Sequence, residues 1–241
     1  MTADATTDSG ELGILRSLAK LCKGSLGSKC IIQLLDEFSH QGPNGTHQCL
    51  VFELLGPTVD MVTSDYYSVY SDPEESLEPD IVLKTSEQLL KAIAFMHEAG
   101  YVHGDISSRN IAFTCSHLSQ ATKEDLFDIL GGPESEELAR LDGKPLEKSL
   151  PKQLVKTAGW DNWTDEDEEN LRVIDFGEAF LQGTEPRMLA QPDTLRAPET
   201  IFTAKFDYRL DLWRAGIVVR HLRCCSSVGM LIFVLDRFIH A

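Results

Sequence analysis

An α+β fold is what this chain predicts, with an antiparallel strand pair near its start and helices making up most of the remainder. Three observations point that way. Apolar residues recur at helical spacing over Glu11–Leu21 and again over Pro79–Ala99. Ile31–Phe38 and Gln48–Leu54 are shorter, β-rich runs separated by the turn-forming Gln41-Gly42-Pro43-Asn44-Gly45. Two polar clusters, residues 103–110 (His-Gly-Asp-Ile-Ser-Ser-Arg-Asn) and 173–177 (Val-Ile-Asp-Phe-Gly), each adjoin a short apolar strand.

Taken in order, the first helix places Glu11, Ile14, Leu15, Leu18 and Leu21 at helical spacing, with Asp8 and Glu11 as a capping pair at its start. Gly13 weakens it by about 1 kcal/mol relative to alanine. The next two strands form an antiparallel pair, and Val51–Gly56 runs from strand into linker. Proline opens the long helix at Pro79 and Gly100 closes it, with Leu83, Leu90, Ile93, Ala94 and Met96 as its apolar set. Beyond the first polar cluster, Ile111–Thr114 and Leu171–Ile174 should pair as a hairpin. Residues 115–170 lie between them as a surface insertion, with Asp125–Leu130 helical and Gly131-Gly132-Pro133 a break. Such an insertion costs little, because loop-closure entropy grows only with the logarithm of length. Trp160 and Trp163 are expected to cover the surface beneath it, and Val228–Leu235 is an apolar run that packs back on the body.

With 241 residues the chain can bury a substantial core without disulfides. Its six cysteines show no Cys-x-x-Cys spacing, which points to reduced thiols and to neither a zinc site nor a redox pair. The first residues lack the layout of a signal peptide, and no apolar run reaches membrane-spanning length, so a soluble protein of the cytosol or nucleus, with no membrane partner, is expected. A formal net charge of −16 argues against direct nucleic-acid binding and favours a basic peptide partner. The acidic run Asp165–Glu169 reads as a solvated loop. Nothing in the residues fixes an oligomeric state.

Asp105, followed five residues later by Asn110 and answered by Asp175 after a short strand, resembles the catalytic loop and metal-binding turn of protein kinases. Ala197-Pro198-Glu199 and Asp211-Leu212-Trp213 come next, in that family's order. The resemblance implies a bilobal fold: an incomplete small antiparallel β lobe over 8–55, an incomplete, mostly helical large lobe over 56–216 that carries the insertion, and a divergent segment over 217–241. It also implies roles. Asp105 would accept the proton of the attacking hydroxyl, and Asn110 and Asp175 would hold the magnesium ions that bridge the phosphates of ATP. Glu53 and Leu55 would offer hinge contacts to the adenine, and Glu11 occupies the place of the helix glutamate that faces the phosphates. His103 is expected to pack beneath the Asp175 turn instead of taking part in chemistry. Within the superfamily the chain is similar to the SR-protein kinases, particularly their fungal branch, through residues 34–38 (Leu-Leu-Asp-Glu-Phe), residues 42–47 (Gly-Pro-Asn-Gly-Thr-His), Val51–Gly56 and the split between the two strands after the loop. That family phosphorylates serines in basic, arginine/serine-rich protein segments.

Departures from the family pattern are as specific as the matches. Only ten residues precede Glu11, and they contain neither a Gly-x-Gly-x-x-Gly loop nor a lysine, so weakened nucleotide affinity is expected. Ser107 stands where serine/threonine kinases carry a lysine, Pro192 stands where they carry its threonine partner, and Arg109 is the nearest substitute cation. Glu199 is expected to lack the buried arginine that pairs with it. Three other readings therefore stay open. One is a pseudokinase or other non-catalytic binding module. Another is a small-molecule phosphotransferase of the aminoglycoside or choline kinase type, which shares His-Gly-Asp with a later asparagine. The third is an alternatively read form of a longer kinase.

Overall fold

The computed structural model describes residues 10–21, 24–69, 79–116, 118, 121–157, 160, 169–189, 195–202 and 206–224. Helix α1 (Gly10–Leu21) buries Leu12, Ile14, Leu15 and Leu18. Leu21, expected on the same stripe, lies exposed at the helix end, and Asp8 falls outside the described residues. After a tight helical turn at Gly27–Cys30, strands β1 (Leu34–Gly42) and β2 (Gly45–Phe52) form the expected antiparallel pair, in register from Leu34 opposite Phe52 to Gly42 opposite Gly45. Pro43 and Asn44 alone make the reversal, so both strands reach further into the turn than the sequence pattern suggests.

Strand β3 (Leu55–Thr58) leads directly into α2 (Val59–Val69), a helix the apolar pattern did not announce. Its start is nonetheless written locally, since the Thr58 hydroxyl accepts the Met61 N–H at 3.3 Å as an N-cap does. Helix α3 (Pro79–Glu98) begins and ends close to where Pro79 and Gly100 predict. Its buried face is carried by Val82, Leu89, Ala92, Ile93, Phe95 and Met96, while Leu83 is exposed. Gly27 lets the preceding turn sit against this helix, because a Cβ there would lie 2.3 Å from the Lys91 carbonyl oxygen.

Strands β4 (Tyr101–Val102), β5 (Ile111–Thr114), β8 (Leu171–Val173) and β9 (Phe180–Leu181) build the frame around the polar clusters. The expected hairpin forms with Ile111 opposite Val173 and Phe113 opposite Leu171, and β3 adds to its other side to give the order β3-β5-β8. β4 pairs with β9. Between β5 and β8, α4 (Lys123–Leu130) carries a capping box from Thr122 and Asp125, and β6 (Ser135–Glu137) pairs with β7 (Gln153–Val155) in an exposed ribbon. Trp160 is half-buried, and Trp163 lies outside the described residues. Of the run expected to be solvated, Asp165–Glu168 lie outside them too, whereas Glu169 is buried. Its carboxylate accepts from the hydroxyls of Thr114 and Ser116 and from the Ser116 N–H, which compensates the burial.

After the short helix α5 (Pro198–Phe202), α6 (Arg209–Cys224) crosses the base of the loop that joins β4 to β5. The expected boundary at residue 217 falls inside α6, which buries Leu210, Ala215, Val218, Val219 and Leu222. Val228–Leu235 lies outside the described residues. One apolar core draws Leu15 and Leu18 of α1, Leu89, Ile93 and Met96 of α3, Ile111 of β5, Val173 of β8, Phe176 and Val218 together. A smaller cluster joins Val102, Phe180, Ala197 and Leu210.

Candidate active site

The β5–β8 hairpin brings the two polar clusters side by side. Asn110 is the last residue before β5 and Ile174 the first after β8, and the Ile174 N–H donates to the Asn110 carbonyl at 3.0 Å. Asp175, next in the chain, therefore emerges beside the loop that carries Asp105. That loop is tied internally, because Asn110 Nδ2 donates both to the Asp105 carbonyl at 2.8 Å and to Asp105 Oδ2 at 2.7 Å.

His103 forms the floor. It is fully buried, its ring meets Phe176 edge-on with centroids 4.9 Å apart, and Nδ1 accepts the Asp105 N–H at 3.2 Å. Nε2 sits 3.1 Å from the Ile174 carbonyl, a pairing that requires the proton on Nε2. Burial pushes its pKa down, with the charges of Asp211, Asp105 and Asp175 pulling the other way. A neutral, structural histidine beneath the Asp175 turn is the outcome, as its apolar neighbours in sequence suggested.

Asp211 holds the loop from below. It is 0% exposed, and its oxygens accept the N–H groups of His103 at 2.8 Å and Gly104 at 3.0 Å, with His97 Nε2 at 3.0 Å. One helical turn on, Arg214 donates from Nη2 to Asp105 Oδ1 and from Nε to the Ile106 carbonyl, both at 2.6 Å. Spacing alone did not reveal this arginine, because its partner lies 109 residues away in sequence.

Asp175 is exposed and adopts φ 63°, a left-handed conformation that aspartate tolerates better than most side chains. Its Oδ1 accepts the Gly177 N–H at 3.3 Å. Glu11 of α1 reaches the same turn: its carboxyl accepts the Phe176 N–H and is pushed above the ordinary value of 4.5, first by burial and then by the charge of Asp175. Glu11, Asp105, Asn110 and Asp175 thus converge from three parts of the chain.

Glu53 and Leu55 are placed differently from these four. The Glu53 side chain accepts from Arg172 Nε at 2.9 Å and from the Gln33 N–H at 3.0 Å, so its carboxylate braces β8. Leu55 lies in β3 opposite Thr114. Arg109, the expected substitute cation, turns to Asp60 of α2 at 3.2 Å, and Ser108 donates to the same carboxylate at 2.9 Å. Pro192 falls outside the described residues. Glu199 is half-buried and has interactions of its own, with its charge acting on Arg209, so the expected orphaned buried carboxylate does not arise.

Among the described residues no group of three or more His, Cys, Asp or Glu side chains is arranged to hold a metal. The donors that do fit a hard divalent cation are the Asp175 carboxylate and the Asn110 amide oxygen, since the amide nitrogen is committed to Asp105. One carboxylate and one amide leave room for oxygens that a ligand would bring. No helix of the described residues is long and apolar enough to cross a membrane.

No family model matches the chain. Serine/threonine-protein kinase AFC1 of Arabidopsis thaliana is 27% identical over 220 residues, covering 91% of this chain and 38% of its own length. Protein kinase dsk1 of Schizosaccharomyces pombe is 36% identical over 106 residues, 44% of this chain and 18% of dsk1. The chain therefore spans less than half the length of each of these curated relatives. Among solved structures, the crystal structure of a kinase domain superposes with a TM-score of 0.55 at 19% sequence identity, covering 89% of this chain and 52% of the other.

Proposed function

We propose that this chain, which has the fold of a kinase domain and whose homologues are serine/threonine protein kinases, transfers the γ-phosphate of ATP to a hydroxyl of a protein substrate. The observation that carries the reading is the joining of Asp105, Asn110 and the Asp175 turn through the Asn110 amide and the Ile174 N–H.

In this reading Asp105 orients the attacking hydroxyl and accepts its proton. Asn110 and Asp175 hold magnesium, which neutralises charge on the phosphates when bound. Since phosphoryl transfer asks a protein mainly for alignment and charge stabilisation, a rigid loop serves it better than a reactive side chain. His103 and Asp211 supply that rigidity, because they hold the loop backbone through buried hydrogen bonds. Glu53 and Leu55 would meet the adenine through backbone groups, since Arg172 holds the Glu53 carboxylate, and Glu11 stands at the phosphate side next to Asp175. The substrate is a basic, arginine/serine-rich segment, which a chain of net charge −16 attracts electrostatically.

The test is transfer from labelled ATP and magnesium to an arginine–serine peptide, comparing the chain with Asp105→Asn and Asp175→Ala. Transfer should fall by about 10² or more in each variant. Equal signal in all three would defeat the reading.

A second reading has its own support. Ser107 stands where serine/threonine kinases carry a lysine, and the Glu11 carboxyl is pushed up by burial and by the charge of Asp175. That suits a module that binds nucleotide without transferring phosphate, and ATP-induced thermal stabilisation with no labelled peptide would identify it.

A further inference from the structure

Arg214 is 1% exposed and reaches the site from beneath. Asp211 and Arg214 stand three residues apart on α6, so both side chains leave the helix toward the loop that carries Asp105. The contacts are specific: Nη2 to Asp105 Oδ1 and Nε to the Ile106 carbonyl, both at 2.6 Å. Asn110 meanwhile holds Asp105 Oδ2 at 2.7 Å. The carboxylate is thereby gripped at both oxygens, once from its own loop and once from a distant helix.

Burying this guanidinium is costly. Desolvation pushes its pKa down against the pull of Asp105 and Asp211, and Nη1 is buried with no hydrogen-bond partner among the described residues. An apolar residue at this position would fill space at lower cost. What an apolar residue cannot do is hold Asp105.

We propose that Arg214 is a positioning residue for Asp105, fixing the plane of its carboxylate and supplying from the protein interior the positive charge that Ser107 does not carry and Arg109 directs to Asp60. The proposal rests on the reading of Asp105 as the group that receives the substrate proton. Two opposed donors restrict rotation of the carboxylate, so that it meets a hydroxyl in one orientation, and loss of such alignment is worth about 10²-fold in rate.

The experiment measures kcat and KM for magnesium-ATP and the arginine–serine peptide with the full chain and with Arg214→Lys, Arg214→Gln and Asp105→Asn. Gln is uncharged and about two atoms shorter, so it places an N–H donor near the position of Nε, within reach of the Ile106 carbonyl, while releasing Asp105. Arg214→Gln should lower kcat by about ten- to a hundredfold with KM changed by no more than about twofold, and Arg214→Lys should recover most of the loss. In unfolding, Arg214→Gln and Asp105→Asn should cost less together than the sum of their separate effects. Unchanged kcat in Arg214→Gln, additive unfolding effects, or kcat and unfolding midpoint falling alike in the Lys and Gln variants would overturn the proposal. A rise in kcat would also overturn it, showing that the contact restrains Asp105. Wild-type transfer no greater than that of Asp105→Asn would sink the kinase reading itself, and this inference with it.

Discussion

Gly104 shows how narrowly a single position in the loop is constrained. Its φ is +78°, and a Cβ there would lie 2.6 Å from the Glu178 carbonyl oxygen, a backbone atom that cannot swing away. Gly104→Ala should therefore cost about 1–3 kcal/mol, seen as an earlier urea midpoint at unchanged slope. An unshifted midpoint would mean that the loop relaxes freely. Glu11 makes a pH-dependent case. Its folded carboxyl titrates above 4.5, so at this group the folded state binds protons more tightly than the unfolded state, and ionisation lowers stability at neutral pH. That penalty fades as pH falls through the raised value toward 4.5. Glu11→Gln keeps an acceptor for the Phe176 N–H and removes the charge, so it should raise the thermal midpoint at neutral pH, with the gain shrinking on acidification. A lower midpoint, or a pH-independent gain, would contradict the burial and Asp175 repulsion that raise the Glu11 carboxyl. That Asp105, Asn110 and Asp175 lie near one another is legible in the sequence, because their clusters adjoin the two strands of one hairpin, whereas Glu11, on the first helix, is assigned to the site by family resemblance alone. Arg214 was not legible, since only the crossing of α6 beneath the loop brings it to Asp105.

Among the elements, α6 anchors the site. Asp211→Ala would leave the N–H groups of His103 and Gly104, with the ring of His97, facing a buried hole. The expected cost is about 3–5 kcal/mol by chemical denaturation, the range for breaking a buried charged network. A loss below about 1 kcal/mol would show that water replaces the carboxylate. Strong punctuation made some elements readable: Pro79 and Gly100 bound α3, and the β5–β8 pairing was written in two short apolar runs. Other features depended on partners the sequence does not display. Helix α3 packs against the turn containing Gly27 and against α6, which buries Val82 and Phe95 and leaves Leu83 outside. Helix α2 was hidden by reading Val51–Gly56 only as a strand leading into a linker, although Thr58 marks its start. Glu169 ends an acidic run that reads as solvated, yet Thr114 and Ser116 bury it. Helix α6 continues to Cys224 because Val218, Val219 and Leu222 recur on its inner face, even where resemblance to the family fades.

For the whole molecule, α1, the β5–β8 hairpin, the Asp105 loop and α6 meet so that acidic groups from distant stretches share one locality, with Arg214 as the buried countercharge. Such an accumulation of carboxylates destabilises an empty site and favours one that takes up divalent cation and phosphate together. The phosphoryl-transfer reading turns on that coupling. Calorimetric titration of ATP with and without magnesium reads it out, for the chain and for Asp175→Asn, whose side chain still accommodates the left-handed backbone. Magnesium should tighten ATP binding to the wild-type chain and leave binding to Asp175→Asn little changed. Equal magnesium enhancement in both would contradict the assignment of Asp175 to the metal and, with it, the proposed phosphoryl-transfer site.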